Sequence, residues 1–222
     1  MKGASGKKAD TLRVKEIYPA IMGESSWAGL PGVIVRLAGC NLRCSYCDTT
    51  YAYYGGRSMA VDRVVTSVMK HGLRRVLVTG GEPLLEPAAV DLMEALIKRR
   101  LAVELETNGS ISLEPVPRAV HVVMDFKSPG SGCVDQNRWE NLLYLKPTDE
   151  IKFVLTGLKD YLWAKDMIKR LDLDRRFQLI LSPAFSALNP AILARWMLRD
   201  RLNARLGLQI HKYIYGAKAR RV

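Results

Sequence analysis

Long apolar runs are missing from these 222 residues, and no stretch approaches the length of a membrane span. The opening MKGASGKKAD carries lysines with no apolar segment behind them, so a secretory signal is not expected and a cytoplasmic location is. Linkers, internal repeats and low-complexity tracts are also lacking, which leaves one domain over 1–222, with 1–10 expected as a flexible extension. Cysteine is scarce at four residues and histidine scarcer at three, which argues against a disulfide scaffold. Acidic side chains number 22 against 34 lysines and arginines, a formal net charge of +12. Such a balance suits nucleic acid or an anionic ligand, but it equally describes solvated helix faces and frayed ends. No zinc-finger spacing, single-strand-binding aromatic signature or long basic helix accompanies it, so direct nucleic-acid binding is not expected.

What is present is an alternation of buried-strand runs and amphipathic helices. VIVRLAG (33–39), RVLVTGG (75–81), AVELETNG (102–109), HVVMDFK (121–127), IKFVLTG (151–157) and FQLILSP (177–183) read as parallel strands covered on both faces. The spacing of Val61, Val64, Val65 and Val68 predicts a helix begun by Ser58 and ended by Gly72. Further helices are expected in EPAAVDLMEALIKRR, in LKDYLWAKDMIKRL, and in NPAILARWMLRDRL with Asn189 as cap. The piece from 109 to 120 reads as an irregular crossover, and LRVKEIYPAI and LGLQIHKYIYG as additional strands. About six βα units follow, either a doubly wound sheet or a barrel, with the active site at the strands' C-terminal ends.

Cys40, Cys44 and Cys47 form C-x3-C-x2-C just beyond the first of these strands. A disulfide suits neither the odd count nor the tight spacing. Structural zinc takes four protein ligands, and only Cys133 and the scattered His71, His121 and His211 are left to complete a set. A four-iron, four-sulfur cluster normally takes four cysteines, so three would leave one iron open to an outside ligand.

With TGGEP at 79–83, this loop resembles the radical S-adenosylmethionine (SAM) superfamily. The resemblance implies a cluster on Cys40, Cys44 and Cys47, an aromatic (Tyr46) before the last cysteine, and SAM on the open iron. One electron then cleaves the sulfonium to a 5′-deoxyadenosyl radical. Gly80, Gly81 and Glu82 would meet SAM, with glycine letting backbone approach a ligand closely.

The segment EIYPAIMGESSWAGLPGVIVRLAGCNLRCSYCDTTYA, with LETNGS, DFKSPGSG and the final LQIHK, is similar to the 7-carboxy-7-deazaguanine synthase family of queuosine and deazapurine biosynthesis. The resemblance implies a shortened, partial (β/α)6 radical SAM barrel with extra strands at both ends, usually homodimeric. It also implies a pterin substrate, Mg2+ and an electron donor such as a flavodoxin or ferredoxin. Thr49 matches the family's Mg2+ ligand, with Asp48 as its neighbour. Arg36 matches an arginine that clamps the pterin carboxylate, against the plainer reading of a strand-end arginine paired with an acid. Glu24 and His211 match substrate-binding positions; Thr79, Glu106, Asn108, Lys127 and Ser128 stand where the family binds SAM or pterin, Glu106 and Ser128 taken for SAM and Thr79 for substrate. The family's QGEG reads MGES here, with Met22 for the glutamine and Ser25 for the last glycine. A thioether lacks an amide's paired hydrogen bonds, so Met22 is not expected to hold substrate. Cys133 is expected to be an unrelated thiol. Two rival readings are an organic radical activase acting on a glycyl loop of a partner protein, and a non-catalytic zinc or nucleic-acid-binding module.

Overall fold

A computed structural model describes residues 11–216, 219 and 221; the expected extension at 1–10 lies outside them. The strands are β1 (Thr11–Ile21), β2 (Pro31–Leu37), β3 (Arg57–Ala60), β4 (Arg75–Gly80), β5 (Ala102–Thr107), β6 (His121–Lys127), β7 (Glu150–Leu155), β8 (Gln178–Pro183) and β9 (Arg205–Leu206). They form one sheet in the order β3-β1-β2-β4-β5-β6-β7-β8-β9. From β2 onward every pairing is parallel, whereas β1 runs antiparallel to both its neighbours. The first and last strands of this order do not pair, so the barrel stays partial.

The helices are α1 (Val61–Met69), α2 (Ala88–Lys98), α3 (Leu158–Arg170), α4 (Leu173–Arg176), α5 (Pro190–Asp200) and α6 (Ile210–Tyr215). Alternation along the strands decides what they cover. Val33, Val35 and Leu37 of β2, Val76 and Val78 of β4, and Ile151, Phe153 and Leu155 of β7 join Val64, Leu92, Leu96, Tyr161 and Leu193 of the helices in one continuous core. Asn189 caps α5 as the sequence predicts, its side-chain oxygen accepting from the Ala191 amide at 2.8 Å. The β5–β6 connection contains no helix, as expected, and β6–β7 is crossed by three short 3-10 turns.

Two expectations are corrected. Ser58 does not begin α1 but lies in β3, paired with Arg13 of β1, and the helix starts at Val61. The stretch 206–216 is not a strand. Only Arg205–Leu206 pairs, and Ile210–Tyr215 turn into α6. Gln209 and Lys212 are three residues apart and share a side only on a helical turn, where both donate to Asp48. That shared carboxylate is the tertiary contact that overrides the β-branched and aromatic composition of the segment.

Candidate active site

Three neighbouring strands each carry two charged residues two positions apart: Glu104 and Glu106, Asp125 and Lys127, Glu150 and Lys152. The pleat sends both members of a pair to one side, opposite the helix-covered core. Across the sheet Arg36 stands beside Thr79, and Asp125 beside Lys152. The side chains interlock. Lys152 Nζ donates to Glu24 Oε2 at 2.9 Å and also pairs with Glu106. Thr79 Oγ1 donates to Glu106 Oε2 at 3.1 Å, and Lys127 Nζ lies 3.0 Å from Asp125 Oδ2. Burial alone would raise the Glu106 pKa, but Lys152 and Thr79 hold it below the usual carboxylate value. Burial likewise pulls against the Lys152 charge, and Glu106 and Glu24 more than offset it. Glu106 and Lys152 therefore stay ionised at neutral pH.

Arg36 extends this belt. Its Nε donates to Glu16 Oε1 at 2.8 Å and a terminal nitrogen lies 3.4 Å from the Tyr18 hydroxyl. Glu16 also accepts from Tyr51 at 2.8 Å and from Arg221 at 3.0 Å. The acid that pairs with Arg36 is thus buried and shared.

A second layer lies at the strands' N-terminal ends, where the β1–β2 loop folds against it. Ser25 Oγ donates to Glu104 Oε2 at 2.8 Å and the Ser26 amide to Glu150 Oε1 at 2.8 Å. His121 stacks on Trp27 at 6.1 Å and faces Glu104, Asp149 and Glu150. Burial pushes the Glu104 carboxyl well above the usual range, although Ser25 opposes the shift. Ser25 has φ 64°, the left-handed region that explains a glycine at this position in the family motif. Met22 is 1% exposed and packs with Ala20 and Ile34, so it belongs to a small core and not to a binding surface.

The cysteine loop crosses the C-terminal end of this interior. Tyr53 lies within electrostatic reach of Cys47, Cys40 and Cys44, so the three thiols border one space. Among the described residues no three His, Cys, Asp or Glu side chains converge as ligands of a single ion. A four-iron cluster, three of whose irons would each take a different thiolate, fits such a spread triad, and a single zinc does not. The Asn108 amide contacts Asn41 at 3.1 Å and the Cys40 sulfur at 3.9 Å. Burial pushes the Cys44 thiol up to about 12, against the pull of Lys127 nearby. Two buried oxygens beside this space, the Tyr46 hydroxyl and Asp125 Oδ1, have no hydrogen-bond partner among the described residues. Orphaned donors and acceptors at the mouth of the interior suit a polar ligand such as SAM.

The TGGEP turn packs tightly against the end of β2 and the cysteine loop. A Cβ on Gly80 would lie 2.2 Å from the Leu37 carbonyl oxygen, and one on Gly81 would lie 2.1 Å from that of Gly39 and 2.8 Å from Cys40 Cβ. These glycines permit close approach to Leu37 of β2 and, at Gly81, to the cysteine loop. Glu82 is fully buried and accepts from Leu84 N at 3.0 Å, Thr107 Oγ1 at 2.8 Å and Asn108 N at 2.7 Å. Its carboxylate binds the β4 turn to the end of β5. Ser128 is also turned inward, its hydroxyl donating to the Val154 carbonyl at 2.7 Å.

Thr49, Asp48, Glu24 and His211 meet at α6. Thr49 Oγ1 donates to Asp48 Oδ1 at 2.9 Å, while Asp48 Oδ2 accepts from Lys212 at 2.6 Å and Gln209 at 3.0 Å. Burial would raise the Asp48 pKa, but those donors hold it well below the ordinary value. Gln209 also donates to Glu24 Oε1 at 2.8 Å. His211 fills the space beside Gly23, where a Cβ would lie 2.0 Å from Nδ1, and burial lowers its pKa toward the neutral imidazole.

Residues 34–125 match the model of the radical SAM superfamily. A 7-carboxy-7-deazaguanine synthase from Chlorobaculum tepidum is 44% identical over 95% of this chain and 97% of that protein. The chain belongs to the 7-carboxy-7-deazaguanine synthase family. A second such synthase, from Koribacter versatilis, is 41% identical over 92% of this chain and 97% of its own length. A crystal structure of QueE from Escherichia coli shares the fold, with a TM-score of 0.75 at 20% identity over 90% of this chain and 94% of that one. Membership of the synthase family displaces the activase and binding-module readings, and a radical SAM family implies a four-iron cluster and SAM. No helix of the described residues is long and apolar enough to cross a membrane.

Sequence reasoning missed Glu16, Asp125, Lys152, Gln209 and Lys212. Asp125 and Lys152 had a legible signal, charged residues at every second position of otherwise apolar strands, which on a buried strand marks a polar interior.

Proposed function

We propose that this chain is a 7-carboxy-7-deazaguanine synthase, converting 6-carboxy-5,6,7,8-tetrahydropterin to 7-carboxy-7-deazaguanine with loss of ammonia. The observation that carries this reading is the 44% identity to a synthase over 95% of the chain, on a site whose thiol triad faces an arginine and carboxylate belt. The cluster and SAM, when bound, supply the radical that removes hydrogen from the carbon bearing the pterin carboxylate.

The chain's own residues bind and orient. Cys40, Cys44 and Cys47 hold the cluster, and Tyr46, with its unpartnered hydroxyl, lines the SAM side. Gly80 and Gly81 fit the SAM-binding turn against the cysteine loop, and Glu82 and Ser128 fix the neighbouring backbone on which SAM rests. Glu106, held ionised by Lys152, accepts from a hydroxyl of SAM. Arg36 clamps the substrate carboxylate, with Glu16 fixing the plane of its guanidinium through Nε. Glu24, steadied between Lys152 and Gln209, takes the donor edge of the ring, while Thr79 and neutral His211 complete the pocket. Thr49 supplies a hard oxygen to Mg2+, whose preference for few protein ligands and several waters suits the single hydroxyl with Asp48 behind it.

The enzyme acts in the cytoplasm as a homodimer, reduced by a flavodoxin or ferredoxin, and its product feeds queuosine synthesis and hence tRNA modification. The test is anaerobic turnover of the reconstituted protein with SAM, dithionite, Mg2+ and the carboxytetrahydropterin, read by product mass. Deazaguanine product is expected from the native chain and none from Cys44→Ala. Turnover that persists in that variant contradicts the reading.

A further inference from the structure

Cys133 belongs to the β6–β7 connection, far in sequence from the thiol triad, yet the structure brings it to Cys44. The two thiols lie within electrostatic reach of each other. The loops that carry them are also pinned together. The Ser45 amide donates to the Ser131 carbonyl at 3.0 Å, and Ser45 Oγ donates to the Gly130 carbonyl at 2.6 Å. Cys133 is itself held, its amide donating to Ser131 Oγ at 3.0 Å, while the Gly130 amide is fixed to Asp160 of α3 at 2.7 Å. All four cysteines are free thiols of intermediate exposure. A thiol whose loop is pinned to the loop of a cluster ligand has a neighbour that the sequence did not suggest.

We propose that Cys44 and Cys133 form a redox pair that closes into a disulfide when the chain lacks its cluster. The role of Cys44 as a ligand rests on the reading above; the disulfide does not. The oxidant is a peroxide. The Cys133 sulfur attacks one peroxide oxygen, the O–O bond breaks, one water leaves, and the cysteine becomes a sulfenic acid. The Cys44 sulfur then attacks the Cys133 sulfur. The S–S bond forms as the S–O bond breaks, and the hydroxyl departs as a second water with the Cys44 proton. Two thiols and one hydrogen peroxide give one disulfide and two waters. A dithiol reductant reverses the step by exchange through a mixed disulfide. The consequence is protection: Cys44 is stored in a reducible form and kept from the sulfinic acid, which dithiols do not repair. While the disulfide stands, the cluster lacks one of its three ligands.

The experiment uses the full chain, freed of iron by chelation and treated with hydrogen peroxide. Free thiols are counted, and peptides from a non-reducing digest are sequenced by fragmentation. The four free thiols are expected to fall to two, with a peptide pair joined through Cys44 and Cys133 that persists in Cys47→Ser and vanishes in Cys44→Ser. Iron uptake by the oxidised native chain is expected to be lost and then restored by dithiothreitol. In Cys133→Ser the same treatment should leave sulfinic acid at Cys44 and no recovery of iron. A native chain in which Cys133 stays free, or joins Cys40 or Cys47 instead, overturns the proposal without reference to any variant. So does full recovery of iron in Cys133→Ser. If the cross-link forms as described but the reduced chain binds neither iron nor SAM, the pair stands and the cluster reading fails.

Discussion

Lys152 donates to Glu24 across 2.9 Å, joining a central strand to a loop 128 positions earlier in the chain. The same ammonium pairs with Glu106 and lies 4.0 Å from Asp125, and its side chain is only 6% exposed. Lys152→Met leaves two half-buried carboxylates, each 26% exposed, without their cation. Breaking one side of a fully buried pair costs about 3–5 kcal/mol and partial exposure lowers that figure, so the variant is expected to melt below the native chain. Adding Glu106→Gln should recover part of that loss, because it removes one of the stranded charges. A double variant no more stable than the single one would mean that Lys152 acts by packing alone.

Arg36 separates a charge requirement from a geometric one. Arg36→Lys keeps the cation but loses the planar fork that grips a carboxylate through two parallel bonds. One lost charge-assisted hydrogen bond is worth about 1.5–3 kcal/mol, so KM for the pterin is expected to rise about 10- to 100-fold. SAM binding in the absence of pterin should be unchanged. A KM equal to that of the native chain removes the clamp.

Ser25 sets two effects against each other. Its φ of 64° costs a non-glycine residue about 1–2 kcal/mol, and its hydroxyl serves the buried Glu104 at 2.8 Å. Ser25→Gly relieves the backbone and loses the hydrogen bond, whereas Ser25→Ala loses the bond and keeps the strain. The alanine variant is therefore expected to be the less stable of the two in thermal melts. Alanine equal to the native serine would show that the hydroxyl contributes nothing.

Much of this arrangement was legible in the sequence, and the parts that were not share a cause. The three cysteines, Arg36, Thr79 and Glu106 fall at strand ends, where a parallel sheet places its chemistry. Ser58 was misread because a four-residue edge strand carries too little periodicity to compete with the helix beside it. The segment around His211 was misread because its conformation is set by Asp48 and Gly23, both more than 150 positions away. Glu82 and Ser128 lie at the expected ends, yet which way a side chain turns there depends on partners such as Thr107 and Val154 that no local pattern displays.

Glu104 gives the interior a pH dependence. Its pKa in the folded chain is raised well above the ordinary carboxylate value, burial being the main cause. The folded chain thus binds this proton more tightly than the unfolded one, so the contribution to stability is full below the unfolded pKa and is lost as pH rises toward the folded one. Glu104→Gln keeps an acceptor for Ser25 without a titrating proton. Its melting temperature is expected to exceed that of the native chain increasingly between pH 5 and pH 8. Parallel melting curves across that range would place the charge elsewhere.

The central claim is a cluster held by three thiolates with one iron left open, and spectroscopy of the anaerobically reconstituted chain tests it most directly. About four irons per chain are expected, with a reduced-state electron paramagnetic resonance signal that changes when SAM is added. A colourless protein with one tightly bound zinc, or an iron signal indifferent to SAM, would contradict the account.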